Sequence, residues 1–286
     1  MKFTNTHGLP DVLAQAIISN EHIKTGQYSV TELIAPPRVT QLKQRHDHLI
    51  TRDVSSMLWM FLGTAVHSAL SKVAESEPLR YLCERQMTIE VPFGLARVVV
   101  SGSCDLYDKM ERILHDWKCT VSNTFVRGPK FEWEAQLNIY ALMIEKFLGG
   151  ERGPKKILNH LICRDWQGWQ AKKEGYPKTA FPSIEYGMWT EDQTMAYLMS
   201  RVALHEMAKS LSDDLLPECS EEDRWNRNIR CAQYCEAAPF CNQWRSIQEG
   251  KDGDTKNGGN GKALETDEGS GKATSPKRKR VRKQAS

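Results

Sequence analysis

No run of roughly eighteen apolar residues, the length needed to cross a bilayer, occurs in the chain, and its mean hydropathy is −0.54. A membrane protein is therefore not expected. The opening MKFTNTHGLPDVLAQ lacks the basic-then-apolar layout of a secretory signal. The expectation is a soluble protein, cytoplasmic in a bacterial or phage-infected cell and nuclear only in a eukaryotic or viral setting. Internal repeats are also missing, which excludes solenoids and propellers. Broad positive charge is lacking too. The net +3 divides unevenly, because ten Lys or Arg and five Asp or Glu follow Gly250, leaving 29 basic and 31 acidic residues before it. The body is thus near −2 and the tail near +5. A body so balanced excludes nucleic-acid binding through an overall field and leaves a local patch as its electrostatic route.

What is present suffices for a sizeable core: 40% of 286 residues are hydrophobic, enough for one large domain or two small ones. Residues 1–28 read as a lead-in with a helix near Asp11–Ser19. A core is expected over 29–211, a four-cysteine segment packed on it over 212–249, and a disordered basic tail over 250–286. That tail holds seven Gly and no aromatic residue. Within the core, Ser29 can cap a helical turn stopped by Pro36-Pro37, and Arg38–Arg45 is polar and basic. Apolar spacing predicts helices over Met57–Ala74, Phe131–Leu148 (ended by Gly149-Gly150) and Glu191–Leu211. Strands are expected over Tyr81–Pro92, Leu95–Ser101, Ile113–Lys118 and Lys155–Arg164, the last followed by a loop or hairpin holding Trp166 and Trp169. The fold class is α/β.

The most informative stretch is GSCDLYDKMERILHDWK, Gly102–Lys118. A turn over Lys109–Arg112, centred between Met110 and Glu111, sets Asp105 opposite Asp116. Like charges facing each other across strands are destabilising, and a bound cation would remove the cost. Strand alternation places Asp116 and Lys118 on one face, with Trp117 and His115 on the other. Helical spacing puts Gly63 with His67, and Gln136 with Tyr140, on shared faces. Taken singly, these residues have ordinary explanations: a solvated lysine, a core histidine, a packed tyrosine.

Taken in order, GTAVH (63–67), GSCD (102–105), DWK (116–118) and QLNIY (136–140) resemble the motifs G-x-x-x-H, G-x-x-D, D/E-x-K and Q-x-x-x-Y. Those belong to the RecB-like branch of the PD-(D/E)XK nucleases, which includes phage and CRISPR-associated exonucleases. The match covers about residues 29–245. The resemblance implies a restriction-endonuclease-like core, a central mixed sheet flanked by helices, and a Mg²⁺- or Mn²⁺-dependent DNA exonuclease in recombination, repair or phage DNA processing. It implies a metal held by Asp105, Asp116 and the Trp117 backbone carbonyl, with His67 approaching it. Lys118 would be catalytic, Gln136 would brace the lysine or the DNA, and Tyr140 would line the substrate path. Two carboxylates suit a hard cation that also binds phosphate and activates water. A recombination annealing protein or a helicase would be a reasonable companion, though no residue names one. The alternative is an inactive nucleic-acid-binding or assembly module, against which the intact Asp105, Asp116 and Lys118 weigh.

Half of the eight cysteines fall together, as Cys219, Cys231, Cys235 and Cys241. Such clustering favours tetrahedral zinc or an iron–sulfur cluster over disulfides. Some RecB-like nucleases carry a stapling iron–sulfur cluster with three C-terminal cysteines and a fourth upstream, in a segment like S-x-L-x-x-C-P-R. Here Pro36 stands where that cysteine would fall, so either Cys219 replaces it or the site is a local zinc module. Either site would be structural. In the tail, Pro276–Lys283 (PKRKRVRK) resembles a nuclear-localisation run or a generic nucleic-acid contact.

Overall fold

The structure, a computed structural model, describes residues 1–19 and 25–257, with side chains to residue 250. Met1–Arg245 form one compact unit and the residues from Ser246 a second. The chain begins with β1 (Lys2–Thr4), α1 (Asp11–Ile18), β2 (Tyr28–Ser29), α2 (Val30–Ile34) and α3 (Pro37–His46), followed by β3 (Thr51–Asp53) and α4 (Leu58–Glu75). Three long strands come next: β4 (Tyr81–Phe93), β5 (Ala96–Asp108) and β6 (Ile113–Thr120). The short α5 (Ser122–Val126) and long α6 (Phe131–Leu148) precede β7 (Lys156–Cys163) and β8 (Ser183–Tyr186). The chain then runs through α7 (Glu191–Lys209), α8 (Glu221–Arg224) and α9 (Asn242–Asn257).

Residues 1–28 are more than a lead-in. β1 pairs in parallel with β3 as a small separate sheet, and β2 joins the main sheet beside β5. The main sheet is mixed, in the order β2-β5-β6-β7-β8 with β4 also on β5, and helices flank it. Asn242–Asn257 is helical beyond residue 250, where disorder was expected to begin, and the rest of that tail, with its basic run, lies outside the described residues.

β5 decides where the site can be. β4 runs along one edge of it from Phe93↔Ala96 to Tyr81↔Asp108. The other edge is shared: β2 pairs at Val100 and Ser101, and β6 only at Leu106, Tyr107 and Asp108. Between these two ladders Gly102–Asp105 have no strand partner on that edge. The sheet splays open there, at the stretch the sequence singled out.

Local signals account for the elements around this gap. Ser29 caps α2 through a reciprocal box, its hydroxyl accepting from Glu32 N–H while the Glu32 carboxylate accepts from Ser29 N–H. Pro36 stops that helix, but Pro37 starts α3 at the first helical position, where its missing N–H costs nothing. The polar run Arg38–Arg45 is helical because Arg38, Thr40, Gln41 and Leu42 are buried, a tertiary effect that local polarity conceals. α6 is buried nearly all round, from Ala135 to Ile144, and packs with Tyr107, Leu114, Ile157, Leu198 and Val202 in the main core. From α7, buried His205 and Arg201 reach the carbonyls of Leu33 and Ala35 and so fix α2.

α4 behaves differently from the other long helices. The span Val54–Glu75 is apolar and long enough to cross a membrane by composition alone, yet here α4 packs on β4 and β6. Within α4 itself only Ser71 and Ala74 are buried, so its apolar stripe is half exposed. Gly63 on this helix has open space around it, whereas Gly102 does not. A Cβ at Gly102 would lie 2.7 Å from the Tyr140 ring and 2.9 Å from the Val30 side chain. In urea denaturation, Gly102→Ala is expected to lower stability by about 1–3 kcal/mol through overpacking. Gly63→Ala should raise it by about 0.5–1 kcal/mol through helix propensity.

Candidate active site

Three carboxylates form a row across β4, β5 and β6. The ladder pairs Leu106 with His115, Tyr107 with Leu114 and Asp108 with Ile113, and continuing that register sets Asp105 against Asp116. On the other side, β4 pairs Cys83 with Leu106 and Arg85 with Cys104, which sets Glu84 against Asp105. Neither acidic pair forms ladder bonds. Glu84 adopts φ +45°, a left-handed conformation costly for a side-chain-bearing residue. The Asp105 carbonyl accepts from the Cys83 thiol at 3.0 Å. Across the splay, Asp105 Oδ2 accepts the Trp117 N–H at 2.8 Å, joining β5 to β6 by a side chain where the backbones have separated.

His67 enters this row from α4. Its Nδ1 lies 3.3 Å from Asp105 Oδ1 and 3.6 Å from Glu84 Oε1, and its Nε2 lies 3.1 Å from the Trp117 carbonyl. Asp105, then Glu84, hold the imidazolium so strongly that its pKa is raised to about 10 despite burial. One ligand atom each from His67, Glu84 and Asp105 fall within 4.8 Å of one another, a spacing a single cation could bridge. Glu84 was not singled out from the sequence. The signal was available, since a tight turn at Gly94-Leu95 aligns Glu84 with Asp105 by the same arithmetic that aligns Asp116 with it.

Asp116 stands apart from that trio. It is 2% exposed and ion-paired with Lys118, whose Nζ is 2.9 Å from Oδ1 and 2.8 Å from Oδ2. Both oxygens face the ammonium: Oδ1 accepts a hydrogen bond from it and Oδ2 lies within ion-pair distance. Burial pushes the Asp116 pKa up, with Lys118 opposing and Asp105 adding to the rise. For Lys118 the balance is reversed: burial would lower its pKa, but Asp116 and Asp105 outweigh it and the ammonium is retained. The carboxylates' repulsion is thus relieved by the chain's own His67 and Lys118, and does not by itself demand a metal.

A second line of contacts fixes the lysine. Lys118 Nζ donates to Gln136 Oε1 at 3.1 Å, and Gln136 Nε2 donates to the Tyr140 hydroxyl at 3.2 Å. Tyr140 is 6% exposed and its ring fills the space above Gly102. It braces Gln136 more than it faces solvent. As alternation requires, His115 and Trp117 occupy the opposite face, where His115 stacks with both Trp117 and His160 and Trp117 is tilted against His160. His67, Glu84, Asp105, Lys118, Gln136 and Tyr140 line one open cleft of about 860 Å³, together with Trp59, Gly63 and Trp133, while Asp116 lies buried behind its wall.

The four C-terminal cysteines meet at a different place. Cys219, Cys231, Cys235 and Cys241 line one pocket with Arg38 and Leu42 of α3. Arg38 Nε donates to the Pro217 carbonyl at 3.1 Å and Nη1 lies 4.0 Å from Cys241 Sγ, so the start of α3 abuts the cysteines. Burial raises the thiols of Cys231 and Cys235 and pushes Cys219 up to about 12. Tetrahedral zinc needs sulfurs about 3.8 Å apart, from Zn–S bonds near 2.3 Å. Among the described residues, the close group of three ligands is His67, Glu84 and Asp105, and the cysteines form none.

No family model and no curated protein matches this chain. Among solved structures, the crystal structure of SSO0001 is similar in fold, with TM-score 0.55 and 17% identity over 81% of this chain and 95% of that one.

The His67 shift has a sign that can be tested. A histidine raised from 6.5 to about 10 contributes stability that is complete below pH 6.5 and lost as pH rises through 10. In chelator, the fall in urea midpoint between neutral pH and pH 10 should be smaller for His67→Gln than for wild type. Equal falls would remove His67 from the acidic row.

Proposed function

We propose that this chain is a divalent-metal-dependent DNA nuclease with a restriction-endonuclease-like core, of the RecB-like PD-(D/E)XK branch, acting as an exonuclease. The observation that carries the reading is convergence. Residues from four separate motifs, on α4, β5, β6 and α6, contact one another in a single cleft at the splayed edge of β5.

The donor set fits a hard cation. Carboxylates and a backbone carbonyl are the oxygen ligands that Mg²⁺ or Mn²⁺ takes, and one ligand atom each from His67, Glu84 and Asp105 fall within 4.8 Å of one another. Asp105, Glu84, His67 and the Trp117 carbonyl would hold it, with Asp116 the further carboxylate. His67 now presents both ring nitrogens to oxygens, so it must release a proton to serve as a ligand. When bound, such an ion polarises a phosphate oxygen and lowers the pKa of a coordinated water.

The remaining work falls to the chain's own groups. Lys118 keeps its proton because two carboxylates outweigh its burial, giving a fixed positive charge beside the acidic row. That charge would meet the negative charge growing on the phosphoryl group in the transition state. Asp116 and Gln136 hold Nζ from two sides, so no reorientation is needed as the charge develops. Tyr140 keeps Gln136 in place, and Gly102 leaves room for Tyr140.

The cysteine pocket complements this site as a staple for the C-terminal segment, and we propose an iron–sulfur cluster as its occupant, with Cys219 as the fourth ligand. The gathering of all four cysteines on one pocket supports a thiolate-ligated occupant. Anaerobically purified protein should contain iron and acid-labile sulfide and absorb in the visible range. Zinc without iron would overturn this assignment.

The nuclease reading is tested with end-labelled linear DNA and circular DNA, in Mg²⁺ or Mn²⁺. Wild type should degrade linear single- or double-stranded DNA and spare circles, with Asp105→Asn and Lys118→Met at least about a hundredfold slower. A folded wild type that binds DNA without cleaving it would favour the inactive binding module. Cleavage unchanged in both variants would refute the site.

A further inference from the structure

The exposed face of α4 is the largest feature that the nuclease reading leaves unused. Trp59, Gly63 and His67 are spaced i, i+4 and i+8, so they form a stripe along one side of the helix. Trp59 lies about 12 Å from His67 along the axis. All three line the cleft. Trp59 is 51% exposed, unusual for the largest apolar side chain. One side of its ring is covered by the Arg164 guanidinium, 4.3 Å from the centroid. Between Trp59 and His67 a Cβ on Gly63 would meet nothing within 4 Å, so the helix surface there is a shallow gap with no side chain.

Arg164 opens the long connection between β7 and β8. Residues 164–182 carry four basic and two acidic residues, against the slightly acidic balance of the body. One of the acids, Asp165, is already engaged by the N–H and hydroxyl of Ser122. The pairing seen at Trp59 recurs farther along: Lys173 Nζ lies 4.8 Å from the centroid of Trp169, itself 69% exposed. A tryptophan with a cation on one face and solvent on the other can stack a flat ring while the cation meets a nearby phosphate.

We propose that Trp59, backed by Arg164, is a base-stacking platform that makes the cleft selective for single-stranded nucleic acid. The strand would pass from the acidic row across Gly63 onto Trp59 and out along the Trp169–Lys173 connection. This inference rests on the nuclease reading of the same cleft. Two considerations favour a single strand as the occupant. An unpaired base exposes the π face that stacking needs, whereas a duplex buries it against neighbouring pairs. The cleft is also bordered by Glu32, Glu84 and Asp105, so sequence-independent contacts must come from rings and from the basic residues at the rim.

The test is equilibrium binding in EDTA, where nothing is cleaved, of the full chain to a fluorescent oligothymidylate and to a duplex of equal length. Removing one stacking aromatic costs about five- to a hundredfold in affinity for single strands. Trp59→Ala should therefore weaken oligothymidylate binding by about tenfold and leave duplex binding unchanged, while Trp59→Phe should recover most of the loss. Arg164→Ala should weaken single-strand binding and reduce its salt dependence by about one counterion. Oligothymidylate binding that is the same for Trp59→Ala and wild type, or an equal loss for both substrates, would overturn the platform. Because Trp59 is exposed, unchanged circular dichroism is expected and serves as the folding check. The outcomes separate from those of the cleavage assay. Binding through Trp59 without any metal-dependent cleavage would sink the nuclease reading alone, and cleavage with Trp59-independent binding would sink the platform alone.

Discussion

The structure depends on one arrangement: three carboxylates, Glu84, Asp105 and Asp116, aligned across adjacent strands at the point where β5 parts from β6. Acidic side chains placed side by side repel one another, and a continuous sheet would hold them at close range. The chain accommodates them by interrupting its ladders. Glu84 takes a left-handed backbone, Asp105 reaches across the gap to the Trp117 N–H, and Asp116 is buried against Lys118. Together they gather the three carboxylates beside a cleft, where His67 and Lys118 offset much of their charge. Such a pattern of strain and buried charge marks a candidate functional site.

The rest of the core serves that gap. α4 brings His67 against two of the carboxylates, and α6 brings Gln136 against the lysine that neutralises the third. α2 and α7 are clamped together by His205 and Arg201, which fixes Val30 beneath Gly102. Because Gly102 admits the Tyr140 ring, α6 can approach β5 closely enough for Gln136 to reach Lys118. One missing Cβ thereby links helix packing to the position of a charged group 16 residues further along the chain.

Much of this was legible in the amino-acid sequence, for identifiable reasons. The long helices and the β5–β6 turn have strong periodicity and clear stop signals, and their bounds agree with the structure to within a residue or two. The facing of Asp105 and Asp116 followed from counting out from a short turn. What was hidden depended on tertiary context. α3 looks like a polar linker because the residues it buries are Arg38, Thr40 and Gln41. β8 is only four residues long and follows a Pro- and Lys-rich connection. Glu84 went unnoticed because it falls within a run that reads as ordinary strand, and its importance appears only when the register of β4 is laid against β5. α4 misleads in the other direction, since its apolar stripe suggests core but much of it borders solvent and the cleft.

The central claim is that the acidic row is a divalent-cation site built from residues on three strands and one helix. The most direct measurement is an equilibrium titration of Mn²⁺, followed by electron paramagnetic resonance, on the full chain with its cysteine pocket loaded. Glu84→Gln and Asp105→Asn, checked for native circular dichroism, provide the comparison. The account predicts one tight Mn²⁺ per chain in wild type and at least about tenfold weaker binding in each variant. Glu84→Gln is the more demanding case, because only the three-dimensional register assigns it a role. Mn²⁺ binding that is absent in wild type, or unchanged in both variants, would contradict the account.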